Sequence, residues 1–139
     1  MAEKLTVNIV TPVRKVAAGQ ADMVVLPAAA GEMGVLPGHD MYMVLLGTGT
    51  LRLTNGSEQS SLFIAKGYAE IANDQVTVLA EVCERPDEID PDRAAAAQKR
   101  AEERLAKSHA DPEIDINRAQ AALMRALHRQ ALKKGGTVH

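Results

Sequence analysis

Aromatic side chains are nearly missing from this chain: there is no tryptophan, and Tyr42, Phe63 and Tyr68 are the only three in 139 residues. Little stacking platform is left for single-stranded nucleic acid. Cysteine is reduced to Cys83, which rules out an intrachain disulfide and reads as a buried thiol in a reducing compartment. No stretch approaches the ~20 apolar residues of a membrane-spanning helix. The start, Met1-Ala2-Glu3-Lys4, shows neither an apolar signal region nor an Arg- and Ser-rich leader, so a cytoplasmic chain, free to dock on a membrane complex, is expected. No glycine is followed by Lys-Ser or Lys-Thr, which excludes a phosphate-cradling P-loop. His39, His109, His128 and His139 are scattered, and with a lone cysteine they form no nucleophile and base pair or paired-histidine metal helix. A self-contained enzyme active site and a metal site are therefore not expected.

Charge is present but unevenly placed. The net charge of -2 argues against a protein that neutralises phosphates over its whole surface, so a nucleic-acid partner is not expected. Residues 1 to 84 carry Lys4, Arg14, Lys15, Arg52 and Lys66 against nine acidic side chains. Residues 116 to 139 carry Arg118, Arg125, Arg129, Lys133 and Lys134 and no acidic ones. Such asymmetry marks a partner-facing segment.

Two sequence grammars meet at Glu84-Arg85-Pro86-Asp87-Glu88-Ile89-Asp90-Pro91-Asp92-Arg93-Ala94. Before it, short β-branched runs are separated by Gly, Pro and Asn. Leu5, Val7 and Ile9 alternate with Thr6, Asn8 and Val10, the period of a half-buried strand. Further runs fall at 15–18, 21–26, 34–36, 41–46, 49–54, 60–66, 67–72 and 75–82, with hairpin turns expected at Asn55-Gly56 and Asn73-Asp74. Eight or nine short strands so punctuated predict a β-sandwich or flattened barrel. Asn55-Gly56-Ser57 also spells a glycosylation acceptor, for which the turn is the better account.

After the junction the text is Ala-rich and helical. Asp90 as N-cap and Pro91 at the first helical position open a helix to about Lys107, with Ala94, Ala97, Ala101 and Leu105 on one stripe. Asp111-Pro112 repeats the device and predicts a second helix to about Lys134, stopped by Gly135-Gly136. On it Ile116, Leu123 and Leu127 share a face, and Arg118, Arg125, Arg129 and Lys133 lie nearly opposite. Those cations fit either a solvated face or a binding stripe. So few large apolar residues scarcely offset chain entropy, so a hairpin that is stable only when docked, and exchanges between docked and released forms, is expected.

One loop carries more: Gly31-Glu32-Met33-Gly34-Val35-Leu36-Pro37-Gly38-His39-Asp40. Its glycines and proline fit two strand-joining turns, or a backbone-defined display of Glu32, Met33 and His39. With Val76-Thr77-Val78-Leu79-Ala80, Ile89-Asp90-Pro91-Asp92-Arg93-Ala94 and the Arg-bearing last helix, it resembles the epsilon subunit family of bacterial F-type ATP synthases. The resemblance covers nearly the whole chain.

What the resemblance implies is an α+β, mainly β, architecture: a β-sandwich of about ten strands (residues 1–86) followed by an antiparallel two-helix hairpin (87–139). It implies a non-catalytic rotor subunit on the central stalk, peripheral to the cytoplasmic face of the bacterial inner membrane. The β-sandwich would bind the gamma subunit and the c-ring. Glu32, Met33 and Gly34 would face the c-ring, and His39 and Tyr42 the gamma subunit. The hairpin would be regulatory, extending towards the alpha and beta subunits to inhibit ATP hydrolysis. No cofactor is required, but ATP is implied as a regulatory ligand of the folded hairpin. Ile89, Asp90, Arg93 and Ala94 match the family's nucleotide motif, and Glu84, Arg100, Arg125 and Arg129 fall where further ligands are carried. Asp40-Met41 and Ala65-Lys66 depart from the family's usual residues beside His39 and Gly67. The reading that stands apart from this one is a free-standing ATP-sensing module.

Overall fold

The computed structural model describes residues 3–135, leaving aside the side chain of Ala18. It divides into two compact units, Met1–Arg85 and Pro86–His139.

The first unit is one curled sheet of seven strands: β1 (Leu5–Val10), β2 (Lys15–Ala21), β3 (Met23–Ala28), β4 (Gly31–Val35), β5 (Tyr42–Asn55), β6 (Glu58–Ala72) and β7 (Gln75–Glu84). Their spatial order is β2-β1-β7-β6-β5-β3-β4. Every pairing is antiparallel except β1 with β7, which runs parallel. The sheet folds back so that β2, at one edge, also packs against β5. Leu5, Ile9, Leu26, Leu51, Ile64, Ile71, Val76 and Val78 fill the space between its two halves, each fully buried or nearly so.

The strand count is lower than the punctuation suggested because β5 and β6 run through Gly47 and Lys66-Gly67 without stopping. Inward residues are Val44 and Leu46 on the first half of β5 but Leu51 and Leu53 on the second. On β6 they are Leu62 and Ile64, then Ala69 and Ile71. The side-chain alternation therefore reverses on both strands at one level, while the register between them stays constant. Lys66 (φ 59°) and Gly67 (φ 139°) make the reversal. Such a shared kink bends both strands from one half of the sheet to the other. A reader of the sequence sees it as two breaks.

The hairpin turns also differ in detail. Asn55 pairs with Glu58, so the connecting residues are Gly56-Ser57 rather than Asn55-Gly56. Gly56 alone has positive φ (63°), the arrangement of a II′ turn with glycine first. Asn73 and Asp74 both have positive φ, as the type I′ turn requires.

The second unit starts with a 3-10 turn, Pro86–Glu88, and continues as α1 (Pro91–Lys107) and α2 (Ile116–Lys133). Asp90 caps α1 as the sequence indicates, accepting from the backbone N–H groups of Asp92 (2.9 Å) and Arg93 (3.2 Å). Asp111-Pro112 does not open α2. The Asp111 carboxylate instead accepts from the Glu113 N–H at 3.0 Å, a local turn that competes with helix. Asp115 becomes the cap, accepting from Arg118 N at 3.1 Å. Gly135, at φ 82°, ends α2 by donating to the Leu132 carbonyl.

Among α2 residues Ala119, Ala126 and Leu132 are the buried ones, and Ala94 and Ala101 are their counterparts on α1. The expected Ile116, Leu123, Leu127 stripe is not the seam, and Ile116 is 47% exposed. Alanines let the helices approach closely, at the expense of buried area. The hairpin is closed by Lys133, whose ammonium donates to the Pro86 carbonyl at 3.0 Å.

Candidate functional site: an arginine flank and an apolar sheet face

Helical spacing fixes what lies beside the alanine seam. Gln98 stands four residues after Ala94 and Gln130 four after Ala126, and their amides meet at 2.6 Å, marking one flank. Helices that run antiparallel bring like flanks together. Arg93 and Arg100 precede the seam residues Ala94 and Ala101 by one, as Arg118 and Arg125 precede Ala119 and Ala126. They therefore gather on the opposite flank, at roughly 100° per residue. Arg104 and Arg129 follow Ala101 and Ala126 by three residues, which turns them to the same side. The fold thus collects Arg93, Arg100, Arg125 and Arg129 along one edge of the hairpin. Arg104 and Arg118 join them, and sequence reasoning did not name these two as ligands.

Arg93 and Arg100 are exposed, and Arg125 and Arg129 half-buried. Guanidinium groups in a row favour a polyanion such as a triphosphate, each able to take two oxygens at once. Asp90, at the mouth of α1, already binds the helix N–H groups through Oδ1. Ala94 belongs to the seam, and Ile89 is buried. Glu84 ends β7 in the first unit. His128 also lies on α2, and burial lowers its pKa from the ordinary histidine value, so at neutral pH it adds no cation to the row. No group of three or more metal-ligating side chains occurs among the described residues.

In the first unit the outer face of the sheet is unusually apolar. Leu45 pairs with Tyr68, Tyr68 with Leu79, and Leu79 with Val10, giving a row across four strands. Leu45 is 68% exposed, Tyr68 43% and Leu79 37%. The row lines a groove of about 700 Å³, together with Thr11, Pro12, Lys66 and Glu81. Met41 and Met43 extend the exposed apolar surface. Tyr42 opens β5 and is 54% exposed; three residues before it, His39 donates from Nδ1 to the Asp40 carbonyl at 2.7 Å. Of these only His39 and Tyr42 were expected; the exposure of Met43, Leu45, Tyr68 and Leu79 has no signature in sequence alternation alone.

Glu32, Met33 and Gly34 all lie on β4, at an edge of the sheet. Glu32 pairs with Arg52 of β5 at 2.8 Å. Met33 is half-buried against the core, so Glu32 and Gly34 are the exposed pair. No helix among the described residues is long and apolar enough to cross a membrane.

Two family models match in succession: the ATP synthase delta/epsilon chain β-sandwich domain over residues 4–86 and the delta/epsilon chain long α-helix domain over residues 87–133. The chain is 46% identical over 129 residues to an ATP synthase epsilon chain of Syntrophobacter fumaroxidans, covering 93% of this chain and 95% of that one. With the epsilon chain of Geotalea daltonii it shares 46% over 138 residues, 98% and 99% of the two chains. A chain in the cryo-EM structure of the Euglena gracilis mitochondrial ATP synthase (OSCP/F1/c-ring, rotational state 1) shares its fold, with TM-score 0.78 and 23% identity over 93% of this chain and 81% of that one. Sandwich and helices matched in order over nearly the full length place the chain in the delta/epsilon family of ATP synthase subunits, as an epsilon chain and so a non-catalytic part of the complex.

Proposed function

We propose that this epsilon chain is the rotor subunit that couples proton flow to ATP synthesis at the central stalk and restrains ATP hydrolysis through its helical hairpin. The β unit (residues 1–86) takes the gamma subunit and the c-ring, and the hairpin (87–139) meets the alpha and beta subunits. The observation that carries the assembly reading is the apolar row Leu45-Tyr68-Leu79 with Met41 and Met43 beside it. A monomer rarely leaves so continuous an apolar surface to water. Gamma covers this face, next to His39 and Tyr42, and Glu32 and Gly34 on the β4 edge meet the c-ring. The subunit then works at the cytoplasmic face of the bacterial inner membrane without entering the bilayer.

The arginine flank supports the regulatory half. ATP bound there crosslinks α1 to α2 through Arg93, Arg100, Arg125 and Arg129 and favours the closed hairpin. ATP is a regulatory ligand in this scheme and no cofactor is needed. Affinity purification from detergent-treated membranes is expected to recover alpha, beta, gamma and c subunits, and deletion of residues 88 to 139 to raise ATP hydrolysis. Failure to recover the partners, with nucleotide still bound, would favour the free-standing ATP-sensing module that the flank alone also fits. Arg93→Ala with Arg125→Ala is expected to abolish ATP-dependent thermal stabilisation of the isolated subunit, which follows RT ln(1 + [L]/Kd) for a ligand of the folded state.

A further inference from the structure

The link between β4 and β5, residues 36–41, contains no strand or helix, yet two backbone N–H groups hold it. His39 N–H donates to the Leu36 carbonyl at 3.2 Å. Pro37 and Gly38 are the central residues of that turn, and Gly38 has φ 85°, the type II arrangement with proline first and glycine second. The turn uses the His39 N–H and leaves that of Gly38 without a partner inside it. That N–H donates to the Asp74 carboxylate, 36 residues away, at 2.7 Å. Asp74 is itself fixed: it sits in the β6–β7 turn with φ 60°, and its carbonyl accepts from Thr6 of β1 at 2.8 Å. A charged acceptor anchored in the sheet thus ties down the middle of the loop that carries His39.

We propose that Asp74 is a positioning residue for the gamma-facing loop, holding the Leu36–His39 turn so that His39 is presented in one orientation. This rests on the reading of His39 as a gamma contact. A bond from a backbone N–H to a carboxylate is among the stronger single hydrogen bonds, and a loop ordered before binding loses less entropy on docking. Asp74 need not touch gamma. Its effect passes through Gly38.

The variants follow from the backbone. Asp74→Gly keeps the positive φ and removes the acceptor, whereas Asp74→Asn keeps both an acceptor oxygen and tolerance of that φ. Full-length variants are compared for Gly38 amide exchange by NMR and for affinity towards the purified gamma subunit. Asp74→Gly is expected to accelerate Gly38 exchange and weaken gamma binding about three- to tenfold, the range of one hydrogen bond. Asp74→Asn is expected to restore both, and Asp74→Gly added to His39→Ala to cause no further loss. Unchanged Gly38 exchange in Asp74→Gly overturns the clamp itself. Faster exchange with unaltered gamma affinity, where His39→Ala does weaken binding, overturns the positioning role. If His39→Ala leaves gamma binding intact, the contact reading fails and the positioning role falls with it. The exchange arm would still show whether the clamp exists.

Discussion

Gly67 offers the sharpest test of how the long strands are bent. A Cβ on this residue would lie 2.1 Å from the Leu79 carbonyl oxygen and 2.8 Å from the Ala80 Cα, both backbone atoms of the neighbouring strand. Neither can swing aside as a flexible side chain would. The residue also sits at φ 139°, a region in which an alanine is strained by about 1–3 kcal/mol. Relieving the clash means pushing β6 away from β7 where Gly67 pairs with Ala80, losing ladder bonds at about 1 kcal/mol each. Gly67→Ala should therefore cost about 3–5 kcal/mol, at the exceptional end for a single substitution. Two controls share the chemistry and differ in space. At Gly47 the nearest atom to an added Cβ is 3.5 Å away, and at Gly34 nothing lies within 4 Å, so both alanines should change stability by less than about 1 kcal/mol. With no tryptophan, and both tyrosines in the β unit, urea unfolding followed by tyrosine fluorescence reports that unit separately from helix loss seen by circular dichroism. A Gly67→Ala loss below about 1 kcal/mol, or one no larger than that of Gly47→Ala, would refute the close approach as the reason for glycine.

Asp22 makes a pH prediction. Its carboxylate accepts from Gly56 N–H at 2.5 Å and pairs with Lys4 at 2.6 Å, and these partners, Gly56 first, lower its pKa below the ordinary aspartate value. Because the folded pKa is the lower one, the stabilisation is present above the unfolded value and fades as pH falls through the folded one. Asp22→Asn should therefore lower stability at neutral pH and flatten the acid limb, so that variant and parent converge at low pH; an unchanged profile in the variant would count against it. On the apolar face, Tyr68→Glu places a charge among Leu45, Leu79 and Val10, and should weaken gamma binding by at least tenfold while leaving tyrosine-reported unfolding by Tyr42 within about 1 kcal/mol, since Tyr68 is already solvated. Equal gamma affinity would assign the face elsewhere.

Most of the architecture was legible because periodicity survives in short windows. The alternation in Leu5 to Val10, the Asn73-Asp74 turn and the Asp90-Pro91 helix start are each decided by neighbouring residues, and each stands in the structure. What failed was decided at longer range. Whether Gly47 ends a strand or bends one depends on Lys66-Gly67 across the ladder, and a single strand's pattern carries no trace of that. Asp111 and Asp115 are both competent caps, and local hydrogen bonding chose the second. The arginine flank was half legible. Four of its members were matched by resemblance, and helical spacing alone already put Arg118 on one face with Arg125 and Arg129, but that Arg104 shares the edge requires knowing that alanines of both helices form the seam. The apolar outer face was hidden because alternation labels Leu45 and Leu79 as strand residues without saying which side is covered.

The junction now combines two demands on one carboxylate. Asp90 caps α1 through Oδ1, and it is also the acidic member of the proposed nucleotide motif. Substitution by alanine removes the cap, worth about 1 kcal/mol of helix stability, and so loosens the end of α1 from which Arg93 projects. Asparagine keeps the cap nearly intact but removes the negative charge. The two variants therefore separate the roles. If Asp90 serves only to hold α1, ATP-dependent stabilisation of the subunit should fall in Asp90→Ala and persist in Asp90→Asn. If the carboxylate meets the nucleotide directly, both should lose it, while helix content by circular dichroism drops only in the alanine variant. A charge close to phosphates would be repulsive unless Arg93 or its neighbours shield it. Direct contact through the sugar or base edge is thus the geometry consistent with the second outcome: Asp90→Asn should then weaken stabilisation by ATP but not by inorganic triphosphate, whereas an Asp90 that acts only as a cap leaves both unchanged in that variant.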